Sequence, residues 1–455
     1  MKPKLNRSIV FFIFISFLFG CGHSTNVSDE IDTYDEWELG KHQPYDFKSV
    51  KALPEGYAVD YVGYLSRHGS RYMLEPKEDV VLYNLFENAK LNDGLKKQGK
   101  HIFEEIKLLV KYQHNKYGDL SEIGKKEHKV LGQRMGKLCE DYFNNEPKIK
   151  STSTFKSRTQ DSRTTFHKGL QSKGYHPKFV NITYDEFNDP ILRAFKICPN
   201  YNQYIDSLSW LNHIQEYQKT TAYIEVRNRI LNSLFKKSYL QYLDEKQKRF
   251  YDNEHNLIIA NKDDIIYNLF KCFKITRNLQ LESHPNLEIF SAEDSKILTR
   301  IDDIHSFFEK GPGYEGRDIS YKHGITFLKY LHTNMNDFVN GKSDYAGNFN
   351  FAHTNTVLPV LVLLNLDKIG ERSLEEWNET EISTMATNIS WILLNKGGER
   401  YIQIRWNEQS VSLPLEDQND HIYKYDDYNN YMESILTSYG LNVHRGNYND
   451  ILFSI

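Results

Sequence analysis

Cysteine is scarce: the 455-residue chain contains four. Cys139, Cys198 and Cys272 stand far apart and Cys21 lies near the start, so no pair has the close spacing of a zinc site and no disulfide framework is indicated. At most one bridge could form. Positive charge is not in excess either. The formal net charge is −4, and removing residues 1–20 deletes Lys2, Lys4 and Arg7 but no acid, which takes it to −7. That balance argues against nucleic acid as a partner, although a cleft can still focus a local positive field. Internal repeats, low-complexity blocks and Pro/Gly linkers within the body of the chain are also missing.

The apolar run Ile9–Phe19, 11 residues interrupted only by Ser16, is too short to cross a bilayer. Behind the basic Lys2, Lys4 and Arg7 it has the form of a signal-peptide core. It ends in Leu18-Phe19-Gly20-Cys21, which resembles a bacterial lipobox; the alternative is a general secretory signal followed by a chance cysteine. The expectation is a signal peptide over 1–20, an acylated Cys21 and a tether over 21–44. Such a chain is exported and held on a bacterial membrane by its lipid, since several acyl chains anchor stably where one does not. The acidic Ser28-Asp29-Glu30 is similar to a surface-export signal of some gut-type bacteria.

The remaining length exceeds one ordinary domain, and 39% hydrophobic residues suffice for a sizeable core. Periodicity predicts a strand over 58–65, helices over 80–90, 95–117 and 122–143 with Ser121 as N-cap, a strand over 148–154 and a helix over 161–170. Residues 201–285 read as mostly helical without convergent catalytic groups. A helix over 321–339, a strand over 349–352, a helix over 356–366 and a hairpin turning at Gly397-Gly398 follow. The pattern predicts an α/β fold: a central, mostly parallel sheet with helices on both faces, built from 45–200 and 286–455, plus an inserted, mainly helical cap domain over 201–285.

Three segments share one order: apolar strand, polar loop with Arg or His, helix. They carry Arg67, His68 and Arg71; Arg158 after Ser151-Thr152-Ser153-Thr154; and His353 in Phe351-Ala352-His353-Thr354-Asn355. Loops at the carboxyl ends of sheet strands can converge, and helix N-termini there favour an anion. Three arginines and two histidines around one point suit a dianionic phosphate. Positive neighbours keep an imidazole neutral, so its free nitrogen can attack phosphorus and form a phosphohistidine. Singly, each motif is more often a polar turn than a catalytic group; together, in this order, they point to a phosphate site. No metal or cofactor is needed when arginines supply the electrophilic clamp.

Arg67-His68-Gly69-Ser70-Arg71-Tyr72 resembles the signature of branch-two histidine phosphatases (acid phosphatases and phytases), and its Arg-Tyr ending is similar to multiple inositol polyphosphate phosphatases. Further segments agree in order: Leu120-Ser121-Glu122-Ile123-Gly124, Ser151 to Ser162, Leu192-Arg193-Ala194-Phe195 with Cys198-Pro199-Asn200-Tyr201, Phe308-Glu309-Lys310-Gly311-Pro312-Gly313-Tyr314, Ala352-His353 with Thr356-Val357-Leu358-Pro359, and Ile404-Arg405-Trp406-Asn407-Glu408. The resemblance covers roughly residues 45–415. It implies that His68 is the nucleophile, that Arg67, Arg71, Arg158 and His353 hold the phosphate, and that the substrate is a phosphorylated small molecule of the inositol polyphosphate kind.

One departure stands out. The family usually places its proton donor one or two residues after the second histidine, where this chain has Thr354 and Asn355. Neither is an acid, and a lost general acid costs about 10²–10⁴-fold in rate. Glu75 and Asp161 lie near motif residues in sequence as substitutes, or the substrate supplies its own proton. An enzyme is therefore weighed against a weak or inactive lipoprotein that binds phosphorylated ligands. A phosphomutase-like transferase is the third reading, disfavoured by the anchor.

Overall fold

The structure is a computed structural model that describes residues 37–279, 287, 289–441 and 447–455. The expected signal peptide, Cys21, the tether up to residue 36 and the end of the expected cap (280–285) lie outside the described residues.

Strands are β1 (Ala58–Arg67), β2 (Lys148–Ser153), β3 (Lys178–Thr183), β4 (Phe250–Tyr251), β5 (Leu257–Ile259), β6 (Gly347–Ala352), β7 (Asn388–Lys396), β8 (Glu399–Trp406), β9 (Gln409–Ser410) and β10 (Ile422–Lys424). Helices before the third strand's end loop are α1 (Glu78–Leu91), α2 (Lys97–Gln113), α3 (Glu122–Leu138), α4 (Glu140–Asn144) and α5 (Ser157–Gln171). The middle of the chain forms α6 (Ala194–Ile197), α7 (Pro199–Ser207), α8 (Leu211–Tyr217), α9 (Thr221–Leu234), α10 (Lys237–Glu245), α11 (Lys262–Thr276) and α12 (Ala292–Lys310). The rest are α13 (Ile325–Val339), α14 (Thr354–Leu363), α15 (Glu379–Ile382), α16 (Tyr425–Ser438) and α17 (Tyr448–Ser454).

The main sheet runs β10-β8-β7-β1-β6-β2-β3, with β9 beside β8. Strands β1, β6, β2 and β3 are parallel; β7, β8 and β10 continue the sheet antiparallel. Alternation along β1 explains why helices cover both faces. Tyr61 and Leu65 join the apolar cluster of α13, α14 and α16, whereas Val62 and Tyr64 join that of α3, α4 and α5. The expected hairpin turns at Gly397 and Gly398, both at positive φ (63° and 88°), the conformation that glycine adopts without strain.

A second apolar cluster joins α9, α10 and α11 to α1, α2 and the first half of α12. The helical region thus draws on segments either side of 201–285, while Tyr201 and Trp210 belong to the cluster beside the sheet. Its boundaries differ from the expected insertion because amphipathic α1 and α2 need a partner for their apolar faces. It also holds the small β4–β5 hairpin.

Residues 37–44 correct the expected tether. Trp37 packs on Phe273 with ring centroids 5.0 Å apart. Glu38 N–H donates to Ser295 Oγ and Gly40 N–H to Thr380 Oγ1, while His42 O accepts from Asn278 and Gln43 O from Met385 N–H. An aromatic anchor and a run of satisfied backbone groups fix this stretch against α11, α12 and α15. Cys139, Cys198 and Cys272 are buried thiols in three different apolar clusters; burial pushes Cys139 up to about 12.

Candidate active site

The carboxyl ends of β1, β6 and β2 lie side by side. Arg67 is in register with Ala352, and Ser153 with Phe351. His68 N–H then donates to Ala352 O at 3.0 Å and Thr154 N–H to Phe351 O at 3.4 Å, so the three loops leave the sheet at one edge. Here the structure brings together His68, His353, Arg67, Arg71 and Arg158, as the sequence predicts.

The loop after β1 is pressed onto the start of α3. Ser121 N–H donates to Ser70 O at 2.9 Å, and the predicted N-cap is present, Ser121 Oγ accepting from Gly124 N–H at 3.2 Å. The contact requires two glycines. A Cβ on Gly69 would sit 2.6 Å from Gly124 O, and one on Gly124 would sit 2.1 Å from Ser70 O. Beneath them the buried Glu127 carboxylate accepts from Ser70 N–H (2.7 Å), Ser70 Oγ–H (2.8 Å) and Tyr45 N–H (3.0 Å). Burial raises its pKa against these bonds. Three donors on one carboxylate lock the loop geometry.

His68 is 4% exposed. Its Nδ1 lies 2.9 Å from Gly69 O; a carbonyl only accepts, so Nδ1 carries the proton and Nε2 presents a lone pair. Burial, then Arg158, Arg67, His353 and Arg71, hold its pKa well below 6.5. His353 is depressed by burial, Arg158, Arg193, Arg67 and Arg71. Its Nε2 meets Thr154 Oγ1 at 3.2 Å, which in turn meets Thr159 Oγ1 at 2.8 Å. The two rings are 5.6 Å apart. Both are neutral across physiological pH.

The arginines spend their donors on neutral acceptors. Arg67 donates to the carbonyls of Ser383 (2.7 Å) and Thr384 (3.1 Å), and Arg71 to that of Tyr72 (2.8 Å). The buried Nε atoms of Arg67, Arg71 and Arg158 have no protein partner. Among the described residues no salt bridge joins these guanidinium groups to a carboxylate. Burial lowers all three, Arg67 and Arg158 to about 10 and Arg71 well below its ordinary value; Arg158 adds to the effect on Arg67 and Arg71, and Arg193 to that on Arg158. Glu379 and Glu127 act on Arg67 and Glu78 on Arg71 from a distance, but none pairs with a guanidinium, which leaves donors free for an anion.

A fourth cation, Arg193, was not among the predicted site residues. It stacks on Phe155 at 4.5 Å, donates to Glu186 O at 2.9 Å and acts on both Arg158 and His353. Its loop is fixed by Asp189, whose Oδ1 accepts from Leu192 N–H at 2.7 Å and whose O accepts from Arg193 N–H at 3.1 Å. Arg193 lies within a motif already picked out, Leu192-Arg193-Ala194-Phe195, but no strand end or histidine beside it marked it as a site residue.

Asn355 occupies the first turn of α14. Its Nδ2 donates to Glu309 Oε1 at 3.4 Å, and its carbonyl meets His323 Nε2 at 3.2 Å. Of the sequence candidates for a substitute acid, Glu75 is exposed and pairs with Lys77 at 3.6 Å, and Asp161 is exposed on α5. The carboxylate beside Asn355 is Glu309, at the end of α12.

Residues 58–407 match the profile of the histidine phosphatase superfamily (branch 2). The chain is 21% identical over 350 residues to multiple inositol polyphosphate phosphatase 1 of Homo sapiens, covering 70% of this chain and 67% of that one. In fold it is similar to the Bifidobacterium longum multiple inositol polyphosphate phosphatase solved with inositol hexasulfate, with TM-score 0.76, 18% identity, and 87% and 97% of the two chains covered. It is also similar to the phytase of D. castellii, with TM-score 0.64, 16% identity, and 89% and 86% covered. With its profile match spanning the histidines and arginines of this pocket, the chain belongs to the histidine phosphatase superfamily, branch 2.

Proposed function

We propose that the protein hydrolyses phosphomonoesters of inositol polyphosphates through a phosphohistidine on His68. The observation that carries this reading is the pairing of a neutral, Nδ1-anchored imidazole with arginines whose buried Nε atoms have no protein partner, at one sheet edge. Nε2 attacks phosphorus, the arginines take the charge of the equatorial oxygens, and the P–O bond to the leaving group breaks. Water then cleaves the P–N bond. Arg193, which acts on both Arg158 and His353, offers positive charge for a further phosphate. The names of the relatives, an inositol polyphosphate phosphatase and a phytase, support that substrate class. Rapid quenching without acid after mixing with ³²P-labelled phytate should trap protein-bound label that His68→Ala abolishes. Label that survives in His68→Ala would overturn the assignment.

A second reading is favoured by Asn355: a lipoprotein that binds phosphorylated ligands and turns them over weakly. The two separate on phosphate release from phytate and from p-nitrophenyl phosphate by lipid-free protein. A nitrophenolate needs little protonation to depart, an inositol alkoxide much. Slow release from both substrates by protein that still binds inositol hexasulfate would support the second reading.

We also propose that the chain is exported and anchored through Cys21, on the basic start, short apolar run and Leu18-Phe19-Gly20-Cys21. Cys21→Ser should release it from membranes or block its maturation; wild-type protein in the soluble fraction would refute the anchor.

A further inference from the structure

The carboxylate beside Asn355 comes from a different part of the chain, 46 residues earlier, at the last turn of α12. Glu309 is held from four sides. Its Oε1 accepts from Asn355 Nδ2 at 3.4 Å, Lys310 Nζ lies 2.6 Å and His305 Nδ1 3.3 Å from its Oε2, and its carbonyl accepts from Tyr201 Oη–H at 3.1 Å. Asn355 itself stands two residues beyond His353 on the first turn of α14. A carboxylate thus stands beside residue 355, two positions beyond His353, where the chain itself has none.

We propose that Glu309 is the group that handles the water proton in the second half-reaction, deprotonating the water that attacks the phosphohistidine while Asn355 Nδ2 orients it. This rests on the phosphohistidine reading above. The water oxygen forms a bond to phosphorus, the P–Nε2 bond breaks and its electron pair returns to His68. The water proton passes to Glu309 Oε1 and from there to solvent. The protonation state fits this role and not that of an acid in the first step. Burial opposes ionisation, but Lys310, His305 and Lys41 outweigh it and hold the carboxyl well below the ordinary glutamate range. A base must be ionised before it acts; an acid must not be. The assignment divides the two steps: release of the leaving group goes without a positioned acid, and phosphoenzyme hydrolysis has a positioned base.

Glu309→Gln tests this with p-nitrophenyl phosphate, whose first step needs least help. The variant should release a burst of about one nitrophenolate per protein and then turn over about 10²-fold more slowly than wild type, the low end of general-base effects. Labelled phosphohistidine should accumulate. Glu309→Asp, which keeps the charge, should show a smaller slowing. Asn355→Glu placed in the Glu309→Gln background should restore phosphoenzyme decay by returning a carboxylate to the same place. Phosphoenzyme decay at the wild-type rate in Glu309→Gln would overturn the proposal, as would a fall in turnover with neither burst nor accumulated label. Wild-type protein that never labels His68 would instead overturn the phosphohistidine reading itself.

Discussion

The sheet has two polar, lysine- and arginine-bearing ends, and they are built on opposite principles. At the amino end of β1, beside the β7–β8 turn, lies a groove of about 1000 Å³. Its walls carry Lys329, Lys342, Arg400 and Lys424, but also Asp337, Glu399, Asp426 and Glu433. At the carboxyl end, Arg67, Arg71 and Arg158 surround two neutral histidines and donate to carbonyls where they donate at all. The first end neutralises itself. The second holds guanidinium groups that form no salt bridge among the described residues, with buried Nε atoms left for an incoming anion. Size and polarity alone would favour the groove at the amino end; arginines without salt bridges favour the carboxyl end.

The sharpest way to break the functional end without touching a charge is Gly124→Ala. Its Cβ would meet Ser70 O at 2.1 Å, a backbone atom that cannot swing aside, so the loop carrying Arg67, His68 and Arg71 must shift. Misplacement on the ångström scale costs about 10²-fold in rate. We expect kcat on p-nitrophenyl phosphate to fall by about that factor with the far-UV circular dichroism unchanged. Full activity would mean that the loop tolerates displacement.

Binding of an anion should then separate the two ends thermodynamically. Inositol hexasulfate, which cannot be hydrolysed by phosphoryl transfer, should stabilise the wild-type fold by about 2.7 kcal/mol at a hundredfold excess over its Kd. Arg158→Ala should weaken that protection, measured as the Tm shift at fixed ligand concentration. Lys424→Ala in the self-neutralised groove should leave it intact. Equal losses in both variants would erase the distinction drawn between the two ends.

The parts of this arrangement that were legible in the sequence are those set by local pattern. Alternation of apolar residues and strand-to-helix switches placed β1, β2 and β6 within a few residues of their observed bounds, and each switch marked a loop of the site. The Ser121 cap was legible because its partner, Gly124 N–H, is three residues away. β3 was not read: Lys178–Thr183 mixes half-buried and exposed residues at the sheet edge, none of them fully buried. Residues 37–44 read as tether because their order comes from Thr299, Asn278 and Thr380, more than 200 residues distant. Glu309 escaped for the same reason. Its place beside Asn355 is fixed by how α12 ends against α14, which no spacing in the sequence expresses.

The smallest expected effect concerns pH, and it tests whether the arginine charge at the carboxyl end acts on the nucleophile. In the proposed mechanism His68 attacks as the neutral imidazole, so activity should be lost as pH falls through its pKa. Burial and then Arg158 hold that pKa well below 6.5, which places the acid limb of kcat/KM well below pH 6.5. Replacing Arg158 by Met keeps much of the side-chain volume and removes one positive neighbour. The imidazolium becomes less unfavourable, the pKa rises, and the limb must move upward. One unit corresponds to about 1.4 kcal/mol of interaction between the two charges, a reasonable magnitude for neighbours shielded from water. The variant will also bind substrate less well, so the height of the profile carries no information; only the position of its acid limb does. Profiles of wild type and Arg158→Met on the same substrate, at one ionic strength, should therefore differ by about one unit at the acid side and coincide in shape. Superimposable acid limbs would show that burial alone keeps His68 neutral, and that the arginines serve the phosphate and not the nucleophile.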